Sequence, residues 1–475
     1  MKIIDIIKKG IVAMKMSYEN NELNTNKIKV LMEEFDKSDT LKWMNCGQKY
    51  YEIENDILSK PGKKSEFKSD NRIAHAKYKE QVDEKVSYLL AKEPSFTSDD
   101  ETYLKSVTDV LQKCKFNYHH FELGYEASNK GIGWAQVYID EDGGFGIKPI
   151  PSEQCIPVWE DGSHTTLKYM IRRYSESTWI GDSRKTITVV EVWSKDSLTV
   201  YRYENKVLVL DESRSIDENG EYRKHYHQTI WKSWERVPFI PFKNNRFELP
   251  DIKSVKSLID EYDKSRSESA NYVDDLVNYL VKVFGYSETE RSKVMSQLKE
   301  HILMFDDKED GGLEIETPNT NIQSIKEHSD QVKRDLTEDG QSVNKDLDKF
   351  GSAPSGITLK FLYSGLELKA NLMAREFKNS FEQLLYFINH YLNITNTKIT
   401  EYPVNIEFNV DMKTDETETI QNCINSQGVI SDETIITNHP WSKDGELDKL
   451  KAQQKENDPF KDKVPILEKS ELDEK

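Results

Sequence analysis

The sequence has 475 residues, of which 36% are hydrophobic, 10% aromatic and 32% charged, and its formal net charge is −18. This much apolar material can bury the core of one large domain or of two or three smaller ones. The acidity argues against a tight or sequence-reading nucleic-acid binder, because such proteins gain affinity from Lys and Arg that neutralise phosphates. The negative charge does not exclude transient contact with DNA.

The spacing of the cysteines and the length of the apolar runs indicate the cellular compartment of the protein. The four cysteines lie far apart with no CxxC pair, which favours neither a zinc site nor a disulfide framework. The opening MKIIDIIKKG lacks the apolar core and cleavage site of a signal peptide. No apolar run approaches the ~20 residues of a membrane helix. We therefore expect a soluble intracellular protein with reduced thiols and no membrane partner.

The first 130 residues are predicted to be mainly helical. No Gly or Pro occurs over residues 11–46, where Ile28 and Phe35 recur at helical spacing. A second helical run is predicted over Asn71 to Ala91, and Pro94 ends it by removing a backbone donor.

Between Gly131 and Phe242 the pattern changes to strands. Four β-rich runs are separated by turn signals: GWAQVYID, KTITVVEVWS, LTVYRYE and KVLVLDE. Six of the eight tryptophans fall in this block: Trp134, Trp159, Trp179, Trp193, Trp231 and Trp234. We interpret them as core residues of small sheets rather than as an aromatic ligand box.

Long helices are predicted after Pro250. The run from Asp251 to Phe284 has neither Gly nor Pro and allows one helix of about 50 Å. Its middle, DKSRSESAN, is polar, so the helix needs neighbours along its flanks. Gly285 to Pro318 is predicted as a short mixed unit with an acidic loop, DDKEDGG.

A second long helix is predicted from Asn319 to about Phe350, with apolar residues near the 3.5-residue period of a packing seam. Gly340 weakens this helix and is a candidate kink. The break FGSAPSG separates it from a third helix, Leu366 to Tyr402. A strand, VNIEFNV, then leads to helices near Thr417–Asn425 and Glu446–Lys455.

Sequence signatures of catalysis are missing. No GxxxxGK[ST], GxSxG or HExxH motif occurs, and the acidic loop has Lys308 where a calcium ligand is needed. The pairs His119–His120 and His225–His227 have no third ligand at metal spacing, so we assign them surface or packing roles. We predict no enzyme activity, no cofactor and no metal.

The order of the elements resembles the SPP1-type portal protein family of tailed bacteriophages over nearly the whole chain. Four segments carry the resemblance: NRIAHAKYKEQVDEKVSYLLAKEP, GIGWAQVYIDEDGGFGIKPIPSEQCIPVWE, LPDIKSVKSLIDEYDKSRSESANYVDDL and SGITLKFLYSGLELKANLMAREFKNSFEQLL. The chain departs from the family pattern at Ala91, in LLAKEP where LLGKP is usual, and at Thr358, where Ala is common.

The resemblance implies an α+β, mainly helical portal fold. It divides the chain into a wing (1–250, strand-rich over 131–242), a first stem helix (251–281), a clip (282–318), a second stem helix (319–348), a tunnel loop (349–357), a long channel-lining helix (358–402), a wing strand with crown helices (403–457) and a disordered tail (458–475).

The resemblance also implies a non-enzymatic virion protein, assembled in the host cytoplasm. Such proteins form dodecameric rings at one capsid vertex, nucleate procapsid assembly, and conduct double-stranded DNA during packaging and ejection. The implied partners are other copies of the chain, DNA, the terminase, the head-tail adaptor, and the scaffolding and major capsid proteins.

Three sets of site residues follow from the same resemblance. The DNA-facing tunnel loop comprises Phe350, Gly351, Ser352, Ala353, Pro354, Ser355 and Gly356. The cations of the channel helix are Lys360, Lys369, Arg375 and Lys378. The clip residues for partner docking are Asp306, Asp307, Glu309 and Asp310. An ordinary helix-to-helix turn explains the first set equally well, and a solvated helix face explains the second equally well.

Two alternatives stay open at this point. One is a different virion structural protein, such as an adaptor or a minor head protein, which three long uninterrupted helices disfavour. The other is a terminase or nuclease subunit, which requires a carboxylate metal site or a phosphate loop that the sequence does not contain.

Overall fold

The computed structural model describes residues 23–62, 69–180, 182–228, 230–275, 280–284, 292, 296, 312–316, 322–343, 356–395, 400–410, 416–443 and 445–456. The chain divides into two units. The larger comprises Met1–Val343 and Gly365–Asp411, and the second comprises Asn344–Ser364 and Met412–Lys475.

The helices, in chain order, are α1 (Thr25–Asp36), α2 (Asp39–Tyr51), α3 (Asp56–Ser59), α4 (Lys77–Leu90), α5 (Glu101–Lys113), α6 (Phe116–Lys130), α7 (Glu212–Ser215), α8 (Ile252–Asp275), α9 (Ile322–Asp339), α10 (Gly356–Thr395), α11 (Glu416–Asn425), α12 (Asp432–Asn438) and α13 (Glu446–Glu456).

The strands are β1 (Ser95–Ser98), β2 (Ile132–Ile139), β3 (Phe145–Ile150), β4 (Cys155–Trp159), β5 (Leu167–Ile180), β6 (Ser183–Trp193), β7 (Leu198–Glu204), β8 (Val207–Leu210), β9 (Tyr226–His227), β10 (Trp231–Lys232), β11 (Phe239–Lys243), β12 (Leu280–Phe284), β13 (Gly312–Glu316) and β14 (Val404–Glu407). The prediction of an α+β, mainly helical fold is confirmed.

The predicted N-terminal helical run is divided in two at Ser38. The hydroxyl group of Ser38 accepts a hydrogen bond from the Leu41 amide at 3.1 Å and caps α2. A serine in this position satisfies a donor at the start of a helix, which ends the preceding helix and begins the next. The absence of Gly and Pro therefore did not guarantee one continuous helix.

The strand-rich block forms three antiparallel sheets. One has five strands in the order β4-β5-β6-β7-β8, one has three in the order β11-β2-β3, and β9 pairs with β10. Trp134 and Trp234 are fully buried and Trp193 is nearly so, as the core interpretation expected, whereas Trp159 and Trp231 are half-buried. Trp179 contradicts it, because 70% of its surface is exposed on the β5–β6 hairpin.

The long helix α8 is shorter than the sequence predicted. It ends at Asp275, and Leu280–Phe284 forms a strand that pairs with Gly312–Glu316. The sequence LVKVF is rich in β-branched and aromatic residues, which favour a paired strand over the end of a helix.

The polar middle of α8 binds an extended segment that was predicted to be helical. The amides of Asn71, Ile73 and His75 donate hydrogen bonds to side chains of α8 at 2.5, 2.9 and 3.0 Å. The accepting residues are Asn271, Ser267 and Asp263.

The match is one of spacing. Every second residue of an extended chain advances ~6.6 Å, and every fourth residue of a helix advances ~6 Å. The two repeats therefore stay in step over three hydrogen bonds. The polar run along α8 serves as a ladder for residues 71–75.

His120 on α6 lies in an aromatic cluster. Its ring stacks on those of Phe116 and Phe408, with centroids 4.9 and 5.5 Å away, and Phe377 and Phe242 meet it edge-on. The residue is only 2% exposed. Burial among apolar rings penalises the charged imidazolium and lowers the pKa of His120 to about 3.

The second unit contains the first residues of α10 and the helices α11 to α13. Both C-terminal helices predicted from the sequence are present, as α11 and α13, and α12 lies between them. Ser431 caps α12 by accepting a hydrogen bond from the Thr434 amide. The predicted disordered tail, 458–475, lies outside the described residues.

We predict that replacing His120 removes a pH-dependent loss of stability. Because its folded pKa is depressed, the unfolded chain binds the additional proton below pH ~6.5, so stability falls as pH falls. The His120 contribution weakens by about 1.4 kcal/mol per pH unit between pH 6.5 and the folded pKa.

Urea unfolding of wild type and His120→Phe at pH 7.5 and 5.5 measures this effect. The stability difference between the two proteins shifts in favour of the variant at the lower pH. His227→Phe, at an exposed position, controls for the substitution itself. A pH-independent difference between wild type and His120→Phe contradicts the assignment.

Candidate channel helix and its buried anchor

The helix predicted to line a channel, α10, runs over 40 residues from Gly356 to Thr395. At ~1.5 Å per residue it is about 60 Å long. Its buried residues recur every three or four positions and form one continuous stripe. They are Leu366, Ala370, Met373, Phe377, Phe381, Leu384 and Ile388.

The four predicted channel cations of α10 differ in their environments. Lys360, Arg375 and Lys378 are exposed, whereas the Lys369 side chain is 11% exposed. Nine residues of helix correspond to two and a half turns, so Lys369 and Lys378 point to opposite faces. The sequence placed the four together, and the structure separates Lys369 from Arg375 and Lys378.

Lys369 belongs to a buried ionic anchor in the larger unit. Its ammonium group lies 3.4 Å from Asp251 Oδ2 and donates to the carbonyl oxygen of Gly340 at 3.1 Å. Asp251 directly precedes α8, and Gly340 directly follows α9. One side chain of α10 therefore contacts the start of α8 and the end of α9.

The centre of the anchor is Lys85 on α4, which is fully buried. Its Nζ donates to Asp251 Oδ2 at 2.5 Å and to Asn244 Oδ1 at 2.6 Å. Asn244 in turn donates to Asp251 Oδ1 at 2.8 Å and to the Leu249 carbonyl oxygen at 2.9 Å. We define Lys85, Asn244, Asp251 and Lys369 as the anchor.

The charged groups of the anchor shift one another's pKa values. Burial lowers the pKa of Lys85 to about 8, an effect that the Asp251 carboxylate partly offsets and Lys369 strengthens. Burial acts to raise the pKa of Asp251, but the two neighbouring ammonium groups outweigh it and hold that pKa below its usual value. The carboxylate stays ionised and compensates both lysines.

The end of α9 is fixed beside the anchor. Gln81 Nε2 donates to the Leu336 carbonyl oxygen at 3.0 Å. A Cβ atom at Gly340 collides with the Gln81 amide, and the following Gln341 is in the left-handed conformation with φ of 50°. The helix predicted to continue past Gly340 therefore ends at Asp339, and the predicted kink is a terminus.

No sequence motif points to the anchor. Lys85 sits in an amphipathic run with other lysines, and Asp251 follows a proline in a loop. Their contact joins positions 166 residues apart. A pairing over that distance has no local signal, although a charged residue on an apolar helix face is a general hint that a partner exists.

Two predicted site sets fall outside the described residues. Phe350 to Ser355 of the tunnel loop and the clip residues Asp306, Asp307, Glu309 and Asp310 are not described, and Gly356 is the first residue of α10. These assignments stay predictions.

The histidine pairs have packing partners in the described chain. His225 accepts the Trp234 amide at Nδ1 and contacts the Ser194 carbonyl oxygen through Nε2 at 2.9 Å. Burial lowers its pKa to about 4. Within the described ranges no group of His, Cys, Asp and Glu is arranged to hold a metal ion. Across the same residues, every helix is too short or too polar to cross a membrane.

The long helix α10, fixed against α4, α8 and α9 by the anchor, lies within a mainly helical α+β fold. The chain belongs to the family described as phage portal protein, SPP1 Gp6-like, whose model matches residues 36–459. Proteins of this family are structural components of the phage particle. The resemblance seen in the sequence is confirmed.

Two portal proteins are similar over most of their length. The portal protein of Clostridium phage phiCD119 is 29% identical over 433 residues, which cover 86% of this chain and 91% of that protein. The portal protein of Bacillus phage SPP1 is 26% identical over 459 residues, which cover 94% of this chain and 89% of that protein.

We predict that Asp251→Asn lowers the free energy of unfolding of the larger unit by about 3 to 5 kcal/mol, because it leaves the Lys85 ammonium buried without a counter-charge. Lys85→Met costs less, since Asp251 keeps Lys369 and Asn244 as partners. Urea unfolding measures both. Glu261→Gln, at an exposed ion pair with Lys264, serves as control with a change within about 0.5 kcal/mol. Equal losses for Asp251→Asn and the control refute the anchor.

Proposed function

We propose that the chain assembles into a dodecameric ring at one capsid vertex and that DNA enters and leaves the head through this ring. The observation that carries the proposal is the portal family match over residues 36–459, which includes all three long helices. By the same reasoning, the ring nucleates procapsid assembly with scaffolding and major capsid proteins. It binds the terminase during packaging and the head-tail adaptor afterwards.

The anchored helix α10 suits a channel wall. A wall exposed to a moving, highly charged duplex has to keep its shape, and the anchor fixes α10 against α4, α8 and α9 through buried charge contacts. Breaking a buried ion pair is costly, so such a contact resists displacement. The dodecameric ring places twelve copies of this wall around the duplex.

The charge balance suits passage rather than retention. A strongly cationic channel gains binding energy from each phosphate that it neutralises, and this slows sliding. The net charge of −18 opposes such binding. Arg375 and Lys378, exposed and one turn apart, are the cations that we propose face the DNA and soften the repulsion. Lys360 is exposed as well, whereas Lys369 serves the anchor.

The remaining assignments complete the proposal. The wing is 1–250, the clip is 282–318, and the crown lies within 403–457. The two stem regions, 251–281 and 319–348, contain the helices α8 and α9. Phe350 to Gly356 forms the tunnel loop that touches the DNA, and the acidic clip residues bind the terminase or the adaptor.

We predict that the purified chain forms closed rings of dodecameric mass with an axial hole. Size-exclusion chromatography with light scattering measures the mass, and negative-stain microscopy shows the hole. Monomers and dimers alone at micromolar concentration contradict the proposal. The same preparations are tested for metal-dependent DNA cleavage, and cleavage that copurifies with the chain favours a nuclease instead.

We predict that the double variant Arg375→Glu, Lys378→Glu assembles normally but packages DNA several-fold more slowly at low salt. Added repulsion in the channel is screened by salt, so the two rates converge at high ionic strength. The matched control, Lys105→Glu with Lys113→Glu, makes the same change in net charge on the exposed face of α5. Equal packaging rates for the two double variants would show that Arg375 and Lys378 do not face the DNA.

A further inference from the structure

The hairpin of β5 and β6 projects beyond the rest of its sheet. β4 pairs with β5 only as far as Arg172, and β7 pairs with β6 only from Thr188 onward. The outer pairs, from Ser177 opposite Thr186 to Ile180 opposite Ser183, belong to the hairpin alone. We call the outer hairpin, residues 177–186, the arm.

The base of the arm is fixed to the larger unit. Glu176 accepts two hydrogen bonds from the Arg214 guanidinium on α7, at 2.8 and 3.2 Å. Arg173 forms an ion pair with Asp36 of α1. A bidentate arginine pair fixes direction as well as distance. The arm is therefore held in a defined orientation, although a two-stranded ribbon on its own is marginally stable in water.

The tip of the arm has the residue types of an interface. Trp179 is 70% exposed and lies directly opposite Arg184, with Lys185 next to it. Tryptophan and arginine are the residues most enriched at the energetic centres of protein interfaces. Within the described chain, Arg184 and Lys185 form no ion pair. The tip thus presents an aromatic ring and two unpaired cations to solvent.

The same unit contains a groove that is lined by acidic side chains, whereas the tip of the arm is basic. It has a volume of about 630 Å³ and lies between the loop at Asp217 and the loop at Trp231. Asp217, Glu218 and Glu221 supply three carboxylates. Ile230, which is 63% exposed, and Trp231 supply an apolar surface.

The cations of the groove do not cancel this character. Lys224 and His227 also line it, as does Arg223. Arg223 is engaged within the chain, because its guanidinium lies 5.2 Å from the centre of the Trp231 ring and donates to the Ile216 carbonyl oxygen. Arg223 keeps its positive charge in these contacts, so the three carboxylates outnumber the two permanent cations, Arg223 and Lys224, by one.

We propose that the arm of one copy inserts Trp179 into the groove of a second copy, with Arg184 and Lys185 facing its carboxylates. Trp179 does not line the groove of its own chain. Charge and apolar surface are complementary between the two sites. Because the sites are different surfaces, their contact is heterologous and passes from one copy to the next, as a closed ring requires. The inference rests on the proposed ring and names one of its contacts.

Cross-linking distinguishes this contact from other arrangements. Asp182→Cys and Asn219→Cys each replace an exposed side chain and leave Trp179, the two cations of the arm and the three carboxylates in place. Both are made in a Cys46→Ser background, because the other three cysteines are buried. The probe is a short bis-maleimide added to assembled protein.

A mixture of the two single variants gives covalent dimers, and the double variant gives a ladder of multimers. Either single variant alone stays monomeric on a denaturing gel. Dimers from Asp182→Cys alone indicate tip-to-tip contact and overturn the proposal. An intramolecular link in the double variant overturns it as well. Rings of wild type with no link in the mixture leave the arm free for another virion protein and also refute the contact.

A second measurement tests the energetic role of Trp179. We expect Trp179→Ala to raise the concentration for half-assembly at least about tenfold. Phe247→Ala, at a side chain that is 75% exposed elsewhere in the unit, is the matched control and leaves it unchanged. Equal effects of the two variants overturn the proposal. A wild type that never assembles refutes the ring itself, whereas normal wild-type rings with no Trp179 effect refute only the arm contact.

Discussion

The burial of one ammonium group, that of Lys85, constrains how the helices of the larger unit pack. Removing such an ion from water costs several kcal/mol unless a counter-charge and hydrogen-bond acceptors replace the water. Asp251 and Asn244 supply them. Asp251 directly precedes α8 and also pairs with Lys369 of α10. Lys369 in turn donates to Gly340 at the end of α9, so the three longest helices meet beside the buried charge.

The sequence predicted those features that depend on local pattern. The apolar stripe of α10 predicted a long helix over Leu366 to Tyr402, and the helix is present, but it begins earlier, at Gly356, and ends earlier, at Thr395. The β-rich runs and turn signals of the 131–242 block predicted strands, and three of its six tryptophans are buried in the core. The missing motifs favoured a structural protein over an enzyme. The family resemblance, which the match over residues 36–459 confirms, is the basis of the proposed function.

The features that the sequence did not predict depend on partners far along the chain. Residues 71–75 are extended because side chains of α8, about 200 positions away, accept their amide protons. Helical periodicity in the same stretch could not reveal this competition. The anchor, too, is a product of distant pairing. The Trp179 error has another cause, since periodicity within a strand does not show where its neighbours end.

The small sheet of β1 and β14 has a consequence for biosynthesis. It pairs segments that lie about 300 residues apart, with Ser98 bound to the Pro403 carbonyl oxygen across 305 positions. Phe408, just beyond β14, stacks on His120. While the ribosome is still translating residues before β14, the larger unit lacks both the partner of β1 and one wall of its aromatic cluster. Its folding can therefore be completed only after β14 has been synthesised.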